Sequence, residues 1–341
     1  MASDTIGFGV VGVGFGLGRA QMIKAVPGAR LVAVSSRDPA KAAKAGEELG
    51  AAGYSDYRKM LERDDIHVIA IYTPSAQHRD IAVEAAAAGK HLIVTKPIEI
   101  TLERIDAMIA ACDAARVNMA TEYVVRYEPA NYALYRAVHD GALGKMILGE
   151  FAEKLYRPQW YYELDGGWRS RWKTGGGGTV INQGIHTLDQ MVWLMGEVES
   201  VTAEAGAFAS KIESEDTAVV LVKFRSGAVG TFIATTTFRN PKPGGRYGGG
   251  TVRRIEVNGA LGSGRIDDEA LTMLHIEEGG PELPRTITPP AANVFEDMVR
   301  WVRDPAYESP TLVKPRASRA SMELVLAIYE SARTGRTVKL S

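Results

Sequence analysis

The sequence predicts a two-domain α/β protein. An N-terminal doubly wound parallel sheet precedes a C-terminal α+β domain with a large, mainly antiparallel open sheet. Three observations predict this. Strand-like apolar runs alternate with helical patterns through about residue 120, the mark of a parallel sheet covered on both faces. A glycine loop separates the first strand from the first helix. Beyond Gly144 the pattern changes to longer amphipathic or β-branched strands joined by turns. The domains are set at residues 1–125 and 126–341.

The first half reads in order. Residues 6–13 form a buried strand and 19–26 a helix, and 31–35 form the second strand. Asp38-Pro39 supplies an N-cap and a proline at the first helical position, so residues 40–49 are helical. Residues 66–72 are a third strand, Thr73-Pro74-Ser75 opens a helix through Ala88, and Gly89 closes it. Residues 91–94 are a fourth strand, 102–115 a helix and 117–120 a fifth strand.

The loop Gly12-Val-Gly14-Phe15-Gly16-Leu-Gly18 lies between strand and helix. There a pyrophosphate meets backbone N–H groups and the positive helix end. Gly12 and Gly14 take the first two positions of the dinucleotide fingerprint. The third falls on Leu17, and the next glycine, Gly18, comes one residue late. The end of the second strand selects the cofactor. NAD enzymes place an acidic residue there to hold the ribose hydroxyls, whereas this chain has Ser35-Ser36-Arg37 with Lys41 one helical turn beyond. Hydroxyl and guanidinium groups suit a ribose phosphate, and Asp38 is committed to capping. The expectation is NADP in preference to NAD; the alternative is that Arg37 stacks on adenine and Ser36 tolerates either.

Thr95-Lys96-Pro97 ends the fourth strand, at the edge where open α/β sheets bind ligands. A lysine held there can orient a hydroxyl or carbonyl, or carry a proton. In the second half, a run from Gly175 to Gly196 has apolar residues at helical intervals, with Asn182 and His186 four apart on one face. Such a pair either satisfies internal hydrogen bonds or lines a pocket.

These motifs together resemble the Gfo/Idh/MocA superfamily over nearly the whole chain. The carriers are the glycine loop, Thr73-Pro74 with His78, the stretch from Ala88 to Pro97, Arg126 with Pro129, Gly141 to Gly144, Gly175 to Gly196, and Ala332 to Leu340. The resemblance implies an NAD(P)-dependent oxidoreductase moving a hydride between nicotinamide and a hydroxyl carbon of a sugar, sugar derivative or cyclitol. Lys96 and His186 are the implied catalytic pair, converging beside the nicotinamide, and either could be the formal base. Asn182, Arg126, Tyr156, Trp168 and Arg169 are expected at the substrate. Gly12, Gly14, Phe15, Gly16, Ser36, Arg37, Thr73, Pro74, His78 and Lys96 are expected at the cofactor. Two departures stand out. The family usually has Glu before the lysine, where this chain has Thr95, and often Asp four residues before the histidine, where it has Asn182. Relatives acting on sugars and nucleotide sugars also carry Asn-Gln there. The same fold hosts glycoside hydrolases with a transient redox cycle and dinucleotide sensors without turnover.

The segments 157–162 and 168–172 are rich in aromatic and arginine side chains, which suit sugar faces and oxygens. Strands follow at 146–156, 198–207, 216–224, 228–238 and 252–257, and residues 240–250, with Arg246 and Tyr247, read as a hairpin tip. Helices are expected at 290–302 and 316–332. In the family the second of these packs on the first domain, and the open sheet face makes homodimers or homotetramers.

A length of 341 residues suits two domains, and 45% hydrophobic with 24% charged residues suits a globular protein. A net charge of -1 gives no electrostatic case for nucleic acid or an anionic membrane. No apolar run approaches the ~20 residues of a membrane span, and no signal peptide is evident. The six histidines show no metal-ligand spacing. The single cysteine, Cys112, fits a reducing compartment, so a cytoplasmic location is expected.

Overall fold

The structure, a computed structural model, describes residues 5–240 and 250–340. The N-terminal residues 1–4 and the glycine-rich residues 241–249, with Arg246 and Tyr247, lie outside the described residues. The chain divides into two compact units, residues 1–124 with 290–319, and residues 125–289 with 320–341.

The first unit is built on a parallel sheet of β1 (Ile6–Val11), β2 (Ala29–Ser35), β3 (Ala52–Tyr54), β4 (Val68–Ile71), β5 (His91–Thr95) and β6 (Met119–Glu122). Their order is β3-β2-β1-β4-β5-β6, which places the switch point of the doubly wound topology between β1 and β4. Every residue of β4 is buried, because helices cover both faces. Phe8 of β1 packs edge-on against Phe295 of the helix Val294–Arg303, with ring centroids 6.1 Å apart. Asp38 accepts hydrogen bonds from the N–H groups of Ala40 and Lys41, with Pro39 in the first turn, as the dipeptide predicts. β3 was not anticipated. It is a three-residue edge strand, and its Gly53 lets the sheet approach the helix Pro39–Leu49 so closely that a Cβ would stand 2.4 Å from the Ala42 carbonyl oxygen.

The second unit holds an eight-stranded sheet. Its strands are β7 (Met146–Lys154), β8 (Val198–Gly206), β9 (Thr217–Phe224), β10 (Val229–Thr235), β11 (Val252–Gly259), β12 (Gly262–Asp267), β13 (Ala270–Ile276) and β14 (Val338–Lys339). The order is β13-β12-β11-β7-β10-β9-β8-β14, and only β7 and β10 pair in parallel. One face buries Phe151, Val220, Val222, Phe224 and Phe232, while Val219, Leu221 and Val229 stay exposed on the other. The buried face carries the helix Ile185–Met195. Gly184 makes that seating possible, since a Cβ there would meet the Phe232 ring at 2.6 Å. Strands β12 to β14 were not anticipated. β13 buries only Leu271 and β14 has two residues, so neither carries the apolar alternation that marks a strand. The helix Pro315–Thr334 belongs to the first unit up to Arg319 and to the second from Ala320.

Candidate active site

At the carboxyl edge of the first sheet, the chain leaves β1 through Gly12, whose φ of +100° only glycine adopts at ease. A Cβ on Gly12 would also lie 2.6 Å from the Tyr72 carbonyl oxygen. The helix Gly16–Ile23 starts with no side-chain cap and no acidic residue in its first turn. Its leading N–H groups are therefore available to an anion. Nothing lies within 4 Å of a Cβ built on Gly14, which leaves the backbone open to close approach. The packing glycine is Gly16. Its Cβ would sit 3.0 Å from Tyr72 and 3.2 Å from Val10, whereas Gly18 has nothing within 4 Å. The irregular spacing is thus resolved one residue early, at Gly16. Phe15 is exposed, its ring 6.0 Å from that of Tyr72 and 4.6 Å beneath the Arg19 guanidinium. This loop fits a dinucleotide pyrophosphate.

Ser36 Oγ accepts from the Asp38 N–H at 3.3 Å, and Arg37 is exposed beside it. His78 is fully buried, with Nε2 2.9 Å from the Thr73 carbonyl and Nδ1 3.1 Å from those of Pro97 and Ile98. Burial holds its pKa below the ordinary imidazole range. The ring thus joins the loop after β4, with Thr73 and Pro74, to the loop after β5. Lys96 is half-buried at the end of β5, and its peptide bond to Pro97 is cis. Across the sheet, Thr95 is in register with Glu122 of β6. Glu122 is buried and pairs with Arg19 Nε at 2.8 Å. Burial raises the Glu122 pKa, opposed by the charges of Arg19 and Lys96.

In the second unit, the regular helix expected from the Gly175–Gly196 spacing is interrupted. Val180–Gly184 form a π-turn before the α-helix Ile185–Met195, a wide turn that recurs at functional sites. Asn182 sits in the π-turn and His186 just beyond it, both half-buried. Asn182 donates its amide to the carbonyls of Gly177 at 3.2 Å and Gly178 at 3.1 Å. His186 Nδ1 is buried. A small open pocket lies beside the turn, lined by Tyr161, Tyr162, Arg169, Asn182, Gln183 and Thr236 among others. Gln183 donates to the Tyr161 hydroxyl at 3.0 Å. The Arg169 guanidinium lies 4.4 Å from the Trp168 ring and 5.4 Å from that of Tyr161.

Of the substrate residues expected from sequence, Asn182 and Arg169 line this cavity and Trp168 stacks on Arg169. Tyr156 lies outside that lining, bridged to Thr237 with Arg239 over its ring at 4.1 Å. Arg126 is buried and gives two guanidinium nitrogens to Asp189. Tyr161, Gln183 and Glu215 were not singled out from sequence. The first two lie in the aromatic segment and beside Asn182, so proximity to recognised motifs was the available signal. Among the described residues, no group of three or more His, Cys, Asp or Glu side chains could hold a metal ion.

A glycine turn at the switch edge of a doubly wound sheet, with a second unit carrying a histidine one helical turn from a pocket-lining asparagine, defines a nicotinamide-dependent oxidoreductase. Two domain models of one family match the chain in tandem. The NAD-binding Rossmann fold of the oxidoreductase family matches residues 6–123, and the GFO/IDH/MocA C-terminal domain matches residues 132–265. The chain belongs to the Gfo/Idh/MocA oxidoreductase family. D-apiose dehydrogenase of Paraburkholderia graminis is 28% identical over 332 residues, covering 92% of this chain and 84% of that protein. Myo-inositol 2-dehydrogenase of Thermotoga maritima is 25% identical over 344 residues, covering 97% and 98%. The crystal structure of the WlbA dehydrogenase from Bordetella pertussis, in complex with NADH and UDP-GlcNAcA, superposes with a TM-score of 0.85 at 28% identity, covering 99% of both chains.

Proposed function

We propose that this dehydrogenase acts on a sugar, sugar derivative or cyclitol, with Lys96 and His186 as its catalytic residues. The observation that carries the reading is the π-turn, which sets Asn182 in a small pocket lined by Arg169 and Tyr161, with His186 one turn further along the same helix. The relatives named above, a D-apiose dehydrogenase, a myo-inositol 2-dehydrogenase and a dehydrogenase in complex with NADH and UDP-GlcNAcA, support that substrate class. When bound, the nicotinamide supplies the hydride acceptor. His186 takes the hydroxyl proton at Nε2, since Nδ1 faces the interior. Lys96, at the end of β5, supplies Nζ as a hydrogen-bond donor that steadies charge on a substrate oxygen. Asn182 cannot titrate, and acts by orienting the substrate. Such acid–base help contributes about 10²- to 10⁴-fold in rate.

Gly12, Gly14, Phe15 and Gly16 would hold the cofactor pyrophosphate, and Thr73, Pro74 and Lys96 its nicotinamide half. We favour NADP over NAD because exposed Arg37 and half-buried Ser36 stand at the end of β2 where an acidic residue would select the free ribose. We further propose a cytoplasmic homo-oligomer. The exposed Val219, Leu221 and Val229 on one sheet face support the assembly, and buried, lone Cys112 accords with a reducing compartment.

A panel of sugars, inositols and sugar acids, read by NADH and NADPH absorbance, tests substrate and cofactor together. Lys96→Ala and His186→Ala should each cut turnover far more than cofactor affinity, and unchanged turnover in either rejects its role. Release of an aglycone without net reduced cofactor would mark a hydrolase instead.

A further inference from the structure

Three successive backbone N–H groups run into the π-turn, and one residue satisfies all of them. Gly178 donates to Glu215 Oε2 at 2.8 Å, Val180 donates to Glu215 Oε1 at 2.9 Å, and Thr179 between them donates to the Glu215 carbonyl at 3.0 Å. The leading N–H groups of a helix have no partners within it, and a carboxylate placed there also meets the positive end of the helix. Glu215 stands just before β9 and far from this turn in sequence, so it acts as a cap supplied from another element. It is 3% exposed.

The glycine run is shaped around it. A Cβ on Gly178 would lie 1.8 Å from the Glu215 carbonyl oxygen, and one on Gly177 would lie 2.1 Å from the Tyr329 hydroxyl. Tyr329, on the helix Pro315–Thr334, donates to Glu215 Oε1 at 2.9 Å and fixes the carboxylate in place. The same two glycines accept the amide of Asn182. A continuous set of contacts therefore runs from Tyr329 through Glu215 and the glycine backbone to Asn182, one turn before His186.

We propose that Glu215 is the positioning residue of the active site: by capping Gly178, Thr179 and Val180 it sets the turn that presents Asn182 and His186, and Tyr329 locks its orientation. The inference rests on the assignment of Asn182 and His186 made above. Catalytic groups displaced by about 1 Å lose on the order of 100-fold in rate, so a loosened cap should be visible in kinetics while the fold persists.

The test compares Glu215→Gln, Tyr329→Phe and His186→Ala with the unmodified protein, using its best substrate from the sugar panel and NADH or NADPH. Glutamine keeps the volume but turns one acceptor oxygen into a donor that faces a backbone N–H. Glu215→Gln should lower kcat/KM about 10- to 100-fold with a raised KM, while cofactor binding keeps its full stoichiometry and its Kd within about twofold. Tyr329→Phe should move kcat/KM the same way by a smaller factor. A purely structural role would instead lower the fraction of protein that binds cofactor and leave KM unchanged, and that result overturns the proposal. Folded Glu215→Gln with unmodified kinetics also overturns it. If Glu215→Gln does not fold, unmodified kinetics in Tyr329→Phe does so. Full activity in His186→Ala would reject the underlying site assignment, not the cap alone.

Discussion

Arg126 closes its guanidinium fork on Asp189, with Nε 2.7 Å from Oδ2 and Nη2 2.8 Å from Oδ1, both side chains being buried. Asp189 lies one turn beyond His186 on the same helix, and the guanidinium also stands 5.0 Å from the Trp193 ring. A bidentate pair of this kind fixes rotation of the helix about its axis as well as its position. Removing one partner leaves the other charge buried without compensation. Asp189→Asn should therefore destabilise the protein by about 3–5 kcal/mol in denaturant unfolding. The double change Arg126→Met with Asp189→Leu should be less damaging than Asp189→Asn alone. A loss below about 1 kcal/mol, the range of an exposed ion pair, would remove this pair as an anchor of the helix.

The glycine loop makes a sharper prediction because its four glycines have different surroundings. Gly18→Ala lies inside a helix with nothing within 4 Å of the new Cβ, so it should stabilise by about 0.5–1 kcal/mol and leave cofactor affinity unchanged. Gly16→Ala should destabilise, since its Cβ would press on Tyr72 and Val10 at 3.0 and 3.2 Å. Gly14→Ala should keep its thermal stability without cofactor yet bind NADH at least tenfold more weakly. Undiminished affinity in Gly14→Ala would move the pyrophosphate away from this turn. Thermal melts with and without cofactor, with titration of NADH, separate the three outcomes.

Glu128 gives a stability change with pH. Burial raises its carboxyl to about 7, although Arg253, 3.6 Å away, and the Asn131 amide, at 2.6 Å, pull it down. Between the unfolded value near ~4.5 and about 7, the folded chain then binds more protons than the unfolded one. This group's contribution to stability is therefore greatest at low pH and declines as pH rises through that window. Glu128→Gln should remove the decline, an effect of order 1–3 kcal/mol at 1.36 kcal/mol per pKa unit. Unfolding midpoints from pH 4.5 to 8 should fall less steeply in the variant. Parallel curves would show that Glu128 titrates normally in the folded chain.

The legibility of this chain divides along physical lines. The parallel sheet was readable because its strands are buried on both faces and written as unbroken apolar runs, as in the Val-Ile-Ala-Ile segment 68–71 and the strand 92–94. The Asp38 cap was readable because capping is a local rule. β3, β13 and β14 were not, because strands of two or three residues, or ones that bury a single side chain, take their conformation from neighbours. The π-turn at residues 180–184 has no distinctive periodicity, so a helix-period reading passes over it. Asn182 and His186 could be named from the motif they occupy. Glu215 could not, since its purpose depends on a turn 35 residues away that only the fold brings to it. Arg126 was legible as a functional-type residue, but its bond to Asp189, 63 residues on, was not.

The exposed side of the eight-stranded sheet supplies the last prediction. Leu221 of β9 faces Thr231 of β10 in register, and Val229 of β10 lies between Lys223 and Leu148. Leu221 is 61% exposed and Val229 50% exposed. Single exposed apolar side chains are ordinary, but neighbouring ones on one sheet face suit association. Leu221→Lys together with Val229→Asp should convert an assembled protein to monomer in light scattering. In a protein that was monomeric from the start, the same surface changes should cost little, within about 0.5 kcal/mol each. An unmodified chain that already runs as a monomer at micromolar concentration would dismiss this face as an interface. If the unmodified protein is assembled and the double variant keeps its mass, the contact lies elsewhere.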